Sequence, residues 1–459
     1  KKFHMPTAYT ILFLLLILVA AATWIIPAGS YDYVDGVPVA GTYHTVEQNP
    51  QGVGDVLKAA FSGFYDAVDV CIFILMVGGF LGVVMKTGAV DAGVGNVIRL
   101  LGGREKWLIP ILMLLFGLGG TTYGMWEETM AFYPLLIPVF LAAGYDAVVG
   151  ISVILLGAGA GVIASTVNPF ATGIAAGFAG VSLGEGIVLR LLEWVAFEAA
   201  AIWFVMAYAA KVKKNPSKSV VGVGAGKIQV SMDQQVPFTA KRKVIMALFT
   251  LTFLIMVYAV VPFDEMGLSL PALGWWFPEL SALFLVAGVV IGLIDRMSEE
   301  ELVETYVAGC ADLLGVAFII GISRGITVLM NDGAITDTVL HWGEQALSGA
   351  GAISFTLLVF ALYLPLTILI PSSSGLATLS IPIVAPLGKF AGVGGDLVVT
   401  AFQSASGLVN IITPTAAVVM GALALGHVPY DRWVKYVWKL ILWFLLLALA
   451  FLVAGVLLG

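Results

Sequence analysis

Long apolar runs alternate with short polar segments along almost the whole chain. The first run, residues 8–26, follows two lysines, and further runs continue to the end of the sequence. A helix needs about 20 apolar residues to cross the hydrocarbon core of a bilayer. Because no small-residue cleavage site ends the first run, we interpret it as a spanning helix rather than as a signal peptide. The pattern predicts an all-α polytopic membrane protein with about nine spanning helices.

The composition agrees with a membrane location. Of the 459 residues, 60% are hydrophobic and 11% are charged, whereas soluble domains carry about 25% charged residues. Cys71 and Cys310 lie in apolar runs without neighbours at metal-ligand spacing, which indicates small apolar side chains. We expect no cofactor or resident metal, apart from sodium or proton coupling. The expected partners are a small organic ion and the lipid bilayer, and not a nucleic acid.

An internal repeat divides the sequence. The pair Gly63 and Asp66 recurs as Gly309 and Asp312, and further residues recur in the same order at a nearly constant shift of about 245 residues. The repeat predicts one structural unit in residues 1–212 and a second copy in residues 263–459. A cytoplasmic linker and a connecting helix, residues 213–262, would join them.

The distribution of lysine and arginine predicts how the two copies are oriented. Positive residues concentrate at the N-terminus and in residues 211–243, and such segments favour the cytoplasmic side of a membrane. Counting spans from these segments leaves Lys86 inside and its repeat mate, Asn331, outside. The copies are therefore predicted to have inverted topology, with the N-terminus in the cytoplasm of a bacterial cell and the chain in its inner membrane.

Each copy also contains helices that are too short or too interrupted to span. Residues 107–143 and 353–391 are predicted to form re-entrant hairpins, with turns at residues 119–124 and 371–375. Non-helical backbone at this depth is tolerated only when it is buried in protein or lines a polar cavity. The two hairpins are therefore candidates for a binding site.

A broken helix is predicted after each hairpin. Residues 148–181 are interrupted before Pro169, and residues 396–426 are interrupted before Pro414. Proline removes a backbone donor and disfavours helix at the preceding residue. The freed carbonyls and the N-termini of the half-helices can bind ions near the middle of the membrane.

The pair Glu127 and Glu128 lies between long apolar segments, next to the first predicted turn. A charged side chain at the centre of a bilayer costs roughly 2.5–3.5 kcal/mol on insertion scales, which favours a functional role. The structural alternative is a buried charge paired with Arg324. Asp66 lies near the end of a span, where a capping role is favoured. Glu193 and Glu198 face either the interior of the bundle or its edge.

The candidate site residues carry hydroxyl, amide or carboxylate oxygens at the turns and breaks. The predicted substrate-binding residues are Thr121, Thr122, Glu127, Glu128, Asn168, Ser372, Ser373, Ser374 and Thr413. The predicted cation-coupling residues are Ser165, Thr166, Asn410 and Thr415.

Three sequence segments resemble the YfcC-like family. They are Gly124-Met125-Trp126-Glu127-Glu128, Val167-Asn168-Pro169-Phe170 and His4-Met5-Pro6. The family comprises basic amino acid antiporters and proteins similar to C4-dicarboxylate anaerobic carriers, and it is similar to the ion transporter superfamily. The resemblance implies an inverted-repeat fold and a homodimer in which a transport domain moves against a scaffold. Related members carry Ser-Asn-Thr at their hairpin turns, where this chain has Gly-Thr-Thr and Ser-Ser-Ser.

These observations predict a secondary active transporter of small organic ions that works by alternating access of the elevator type. The turns and breaks contain no lysine or arginine, while two acids follow the first turn, which favours exchange or ion-coupled uptake of arginine or ornithine. The alternative is a sodium- or proton-coupled C4-dicarboxylate transporter. An ion channel is a further alternative, although paired hairpins favour a closed site. An intramembrane hydrolase lacks a histidine near the turns and breaks, so we expect no enzyme.

Overall fold

The computed structural model describes residues 8–35, 37–90, 92–93, 104–182, 184–222, 237–260, 270–271, 273–275 and 277–458. The N-terminal lysines, the segment His4-Met5-Pro6 and residues 223–236 of the linker used for the orientation prediction lie outside these residues. The described part of the chain is mainly helical, which confirms the all-α prediction.

The helices of the first half follow the apolar runs. They are α1 (Ala8–Ala22), α2 (Val53–Asp66), α3 (Val68–Lys86), α4 (Leu108–Tyr123), α5 (Tyr133–Ala142), α6 (Ala147–Ile163), α7 (Ile174–Ala179) and α8 (Ile187–Lys214). Short 3-10 helices cover Glu105–Trp107 and Glu127–Phe132, and a π-helix covers Pro169–Gly173.

The second half continues in the same way. Its helices are α9 (Ala240–Val260), α10 (Phe277–Asp295), α11 (Glu299–Asp332), α12 (Thr336–Leu347), α13 (Ala352–Leu369), α14 (Ser373–Phe390), α15 (Gly395–Asn410), α16 (Ala417–Leu425) and α17 (Tyr430–Leu458). A 3-10 turn, Pro216–Lys218, follows α8.

Side-chain caps explain where several helices begin. Asp146 accepts a hydrogen bond from the backbone N–H of Val149 at the start of α6. Ser298 accepts one from the N–H of Glu301 at the start of α11. Such caps satisfy donors that have no partner inside the helix.

Within the described residues, five helices are long and apolar enough to cross a membrane, namely α3, α10, α11, α13 and α17. Helices α1 and α6 are apolar but shorter. The chain is therefore a multi-pass membrane protein, and the predicted number of nine spans stays a prediction.

The helices pack into two groups. In the first, which we call the α11 group (α1–α3 and α9–α11), α11 packs along α2 and α3, and α10 packs on α3. In the second, the α6 group (α4–α8 and α12–α17), α4 and α8 pack on α6, and α13 packs on α15. The groups meet chiefly where α11 packs on α16. Each half of the chain contributes consecutive helices to both groups.

Glycines allow very close contact inside the α11 group. A Cβ atom at Gly63 would lie 2.1 Å from the carbonyl oxygen of Gly321, and one at Gly78 would lie 2.5 Å from that of Gly309. Small residues at such positions let membrane helices approach backbone to backbone. Helices α2, α3 and α11 therefore form one tightly packed unit.

A small β-structure that the sequence did not predict lies between α1 and α2. Strand β1 (Gly29–Ser30) pairs antiparallel with β4 (His44–Thr45), and β2 (Tyr33–Val34) pairs antiparallel with β3 (Val37–Pro38). Nearby, the hydroxyl of Tyr31 donates a 2.8 Å hydrogen bond to Glu344 on α12. Burial, and the bond to Glu344, raise the pKa of Tyr31. The segment thus joins the α11 group to the α6 group.

Candidate functional site

A cavity of about 150 Å³ lies between the two helix groups. The α11 group contributes Ser323 and Arg324 to its wall, together with apolar side chains. The α6 group contributes most of the polar wall, which comprises Glu127, Glu128, Asn168, Ser372, Ser373, Ser374, Asn410 and Thr415. Both hairpins and both breaks therefore reach one cavity.

The turn of the first hairpin lies later than the sequence predicts. Helix α4 continues through residues 119–123 of the predicted turn, so the prediction is wrong for these residues and only Gly124 lies at the observed turn. The chain reverses at Gly124, whose φ of +78° lies in the left-handed region that suits glycine. A Cβ at Gly120 would lie 2.3 Å from the carbonyl oxygen of Ala158 on α6. The glycines before the turn therefore serve close helix packing.

The acidic pair follows this turn in a 3-10 helix. Glu128 is buried, and its Oε2 accepts a 3.1 Å hydrogen bond from the backbone N–H of Trp126. Glu127 is partly exposed, and both carboxylates line the cavity. The pair thus supplies carboxyl oxygens to the cavity wall.

Two predicted binding threonines instead join the first hairpin to the first break. The hydroxyl of Thr121 donates a 2.7 Å hydrogen bond to the carbonyl of Ala164, and the hydroxyl of Thr166 donates a 2.9 Å bond to the carbonyl of Thr121. Both threonines are buried, and neither belongs to the described cavity wall. Their contacts indicate that they hold the end of α4 against the end of α6.

Thr122 of the first hairpin and Ser165 of the first break also do not belong to the cavity wall in the described part of the chain. Thr122 donates a 2.6 Å hydrogen bond to the carbonyl of Leu118, one turn earlier in α4. Ser165 accepts a 3.3 Å bond from the amide of Asn168, and Asn168 does line the cavity. The first break therefore reaches the cavity through Asn168.

The second hairpin turns where the sequence predicts. Helix α13 ends at Leu369, and α14 begins at Ser373 with Ser372 as its cap. The Oγ of Ser372 accepts a 3.2 Å hydrogen bond from the N–H of Gly375. The N-terminus of a helix carries a partial positive charge, and this one opens beside three cavity-lining serines.

The second break brings two of its three predicted residues to the cavity. Asn410 is the last residue of α15; it is buried, and its Oδ1 has no hydrogen-bond partner. Thr415 also lines the cavity, whereas Thr413 does not belong to the described wall and its hydroxyl lies 2.9 Å from that of Thr415. A buried oxygen without a partner is available to a ligand.

Arg324 is a charged cavity residue that the sequence did not place in the site. Its Nε lies 3.6 Å from Oδ2 of Asp66, and its side chain also lines the cavity. The sequence suggested Arg324 as a partner of the acidic pair and Asp66 as a cap. An arginine inside an apolar run was the available signal, but the run alone does not define which neighbour it meets.

Comparisons with known proteins agree with a carrier. The sequence model of the C4-dicarboxylate anaerobic carrier family, DcuC, matches residues 5–457. A protein of Haemophilus influenzae strain Rd is 35% identical over 508 aligned positions, which cover 99% of this chain and 98% of the relative. A protein of Escherichia coli K12 named "Putative basic amino acid antiporter YfcC" is 30% identical over 484 positions, which cover 95% and 93%.

Among solved structures, the YdaH transporter of Alcanivorax borkumensis is similar over 96% of this chain and 98% of its own. The sequence identity is 15% and the TM-score is 0.44.

Proposed function

The chain belongs to the C4-dicarboxylate anaerobic carrier family of membrane transport proteins, and we propose that it is a secondary active transporter of small organic ions. A volume of about 150 Å³ is smaller than the 300–1,000 Å³ typical of sites for drug-sized ligands. This size supports a small solute.

The proposed mechanism is alternating access by relative movement of the two helix groups. The cavity lies at their junction, and the hairpins and breaks that supply its polar wall all belong to the α6 group. The closely packed α11 group suits a static scaffold. In this elevator-type movement, the α6 group would carry the solute past the scaffold.

The proposed substrate is a basic amino acid, arginine or ornithine. The observation that carries this proposal is that Glu127, Glu128 and Arg324 line one cavity. The glutamates suit the cationic side chain and the α-amino group, while Arg324 suits the α-carboxylate. Exchange and ion-coupled uptake are both compatible with such a site.

A C4-dicarboxylate is the second candidate. Arg324 and the N-terminus of α14 provide two places for carboxylates. Sodium ions or protons would then have to offset the charge of Glu127 and Glu128. The neutral oxygens of Asn410 and Thr415 are available for sodium in that case.

The proposal also covers the arrangement of the two halves of the chain and its orientation in the membrane. Helices α6 and α7 flank the first break and α15 and α16 flank the second, an order that supports two copies of one unit. We propose that the copies are inverted, that the N-terminus is cytoplasmic, and that the protein forms a homodimer in the inner membrane of a bacterium.

Transport into proteoliposomes tests the function. Vesicles loaded with unlabelled arginine, ornithine or succinate are diluted into the same labelled solute, with and without sodium. We expect transient accumulation of labelled arginine or ornithine above equilibrium, which a channel cannot produce. Succinate accumulation without any response to arginine would instead establish the second candidate.

A further inference from the structure

Glu198 is a carboxyl group that the proposed site does not use. It lies near the middle of α8 and is 2% exposed, so it faces the interior of the bundle. Neither of its carboxyl oxygens has a hydrogen-bond partner. An ionised carboxylate buried without a partner is strongly unfavourable, and protonation removes most of that cost.

The packing around Glu198 leaves space for the carboxyl group but supplies no cation. A Cβ atom at Gly117 of α4 would lie 2.4 Å from Oε2 of Glu198, so the absent side chain makes room for the carboxyl. The preceding residue of α8, Phe197, packs on Phe444 of α17 with ring centroids 4.7 Å apart. Glu198 is therefore held in an apolar contact between helices.

The ionisable residues of the surrounding elements lie elsewhere. Helix α6 has none, and α4 has only Tyr123 at its last position. Those of α17 lie in its first ten residues, before the level of Phe444, and Lys218 lies beyond the C-terminal end of α8. Within the described residues packed on α8, no cation is placed to neutralise Glu198.

Glu193, on the same helix, differs from Glu198. Its Oε1 accepts a 2.8 Å hydrogen bond from Ser404 of α15, and Arg190 lies one turn earlier, near Asp396. Glu193 therefore has both a donor and a nearby cation. Glu198 has neither.

We propose that Glu198 is a proton-binding site of the transport cycle. In the conformation described, the carboxyl is protonated and lies against Gly117. Release transfers this proton to water, and water reaches the carboxyl only when α4 separates from α8. Gly117 on α4 lies about two helical turns before Gly124, where the first hairpin turns beside the cavity. Movement of this hairpin would therefore change the surroundings of Glu198 and of the cavity together, which couples proton release to substrate binding. The coupling rests on the proposed transport function, whereas the protonation does not.

Infrared spectroscopy tests the protonation without any substrate. The protein in lipid nanodiscs at pH 7 is compared with Glu198→Gln and with Glu300→Gln, a control in which an exposed residue of α11 is changed. We expect the carbonyl absorption of one protonated carboxyl to disappear in Glu198→Gln and to persist in the control. Unchanged absorption in Glu198→Gln overturns the proposal. Glu198→Asp keeps a carboxyl and should retain the absorption at a shifted frequency.

A pH gradient across proteoliposomes tests the coupling. We expect the gradient to drive accumulation of labelled arginine by the parent protein, and Glu198→Gln to lose this response while retaining arginine counterflow. Glu198→Asp should recover part of the response. The coupling is overturned if the parent and Glu198→Gln accumulate labelled arginine equally. It is also overturned if the pH gradient does not change arginine accumulation by the parent. Absence of counterflow for every solute in the panel would refute the proposed function, and the infrared result would still decide the protonation.

Discussion

The Nε atom of Arg324 lies 3.6 Å from Oδ2 of Asp66, and the same arginine side chain lines the cavity that contains Glu127. Asp66 is half-exposed, and partly exposed ion pairs contribute only about 0–1 kcal/mol. The contact therefore does more to orient Arg324 than to stabilise the fold. Both residues belong to the α11 group, so their relationship is independent of where the hairpins lie.

Replacement of Arg324 should weaken binding of a substrate that carries a carboxylate. A hydrogen bond to a charged group contributes about 1.5–3 kcal/mol, so we expect KM for arginine to rise by roughly tenfold to a hundredfold in Arg324→Gln. Arg324→Lys should recover only part of the affinity, because lysine lacks the planar fork of donors. The control, Arg432→Gln, changes an exposed arginine that pairs with its own neighbour, Asp431. Equal KM values for Arg324→Gln and the control would exclude Arg324 from substrate binding.

Neutralising the acidic pair should affect cationic substrates selectively. Glu127→Gln and Glu128→Gln keep the side-chain shape and remove the charge, so arginine and ornithine transport should fall in at least one of them. The measurement is counterflow, with Glu300→Gln as the control. If both variants transport arginine as the parent does, a cationic substrate does not contact the pair.

Thr121 and Thr122 offer a matched test of the contact between hairpin and break. Thr121→Val removes a buried hydroxyl that bonds to Ala164, and an unsatisfied buried group costs about 1–3 kcal/mol. Thr122→Val removes a bond only within α4. We expect the temperature of thermal unfolding in detergent to fall clearly for Thr121→Val and little for Thr122→Val. The same decrease in both variants would show that the contact with the break does not matter.

Cysteine labelling tests the inverted topology. In a background with Cys71→Ala and Cys310→Ala, Lys86→Cys and Asn331→Cys place single thiols at exposed helix ends. A membrane-impermeant reagent should label intact cells at position 331, and position 86 only after the membrane is opened. Labelling of both positions from the same side would contradict inversion.

The sequence anticipated the elements of the site better than their contacts. The turn at Pro371 and the break before Pro414 agree with local chemistry, because proline removes a backbone donor and disfavours helix at the preceding residue. Proline alone does not decide the outcome, since Pro138, Pro365 and Pro382 lie inside continuous helices. The glycine run before Gly124 misled the prediction, because glycine marks a turn and a close helix contact equally well. The choice between them depends on Ala158, which lies far away in the chain.

The position of Arg324 could not be derived from the sequence for a related reason. Periodicity places a residue on a face of its helix but does not identify the helix that packs there. The small strands between α1 and α2 were also missed, because each has only two residues and gives no alternating pattern. Both features depend on contacts between distant segments.

The division of the cavity wall between two helix groups has an electrical consequence. In the proposed movement, Glu127 and Glu128 travel with the solute, whereas Arg324 stays with the α11 group. Moving one elementary charge across 100 mV involves about 2.3 kcal/mol. A bound cation offsets the charge of the glutamates, so the loaded carrier should respond less to membrane voltage than the empty one. The return step of an empty carrier would then be the voltage-dependent part of the cycle.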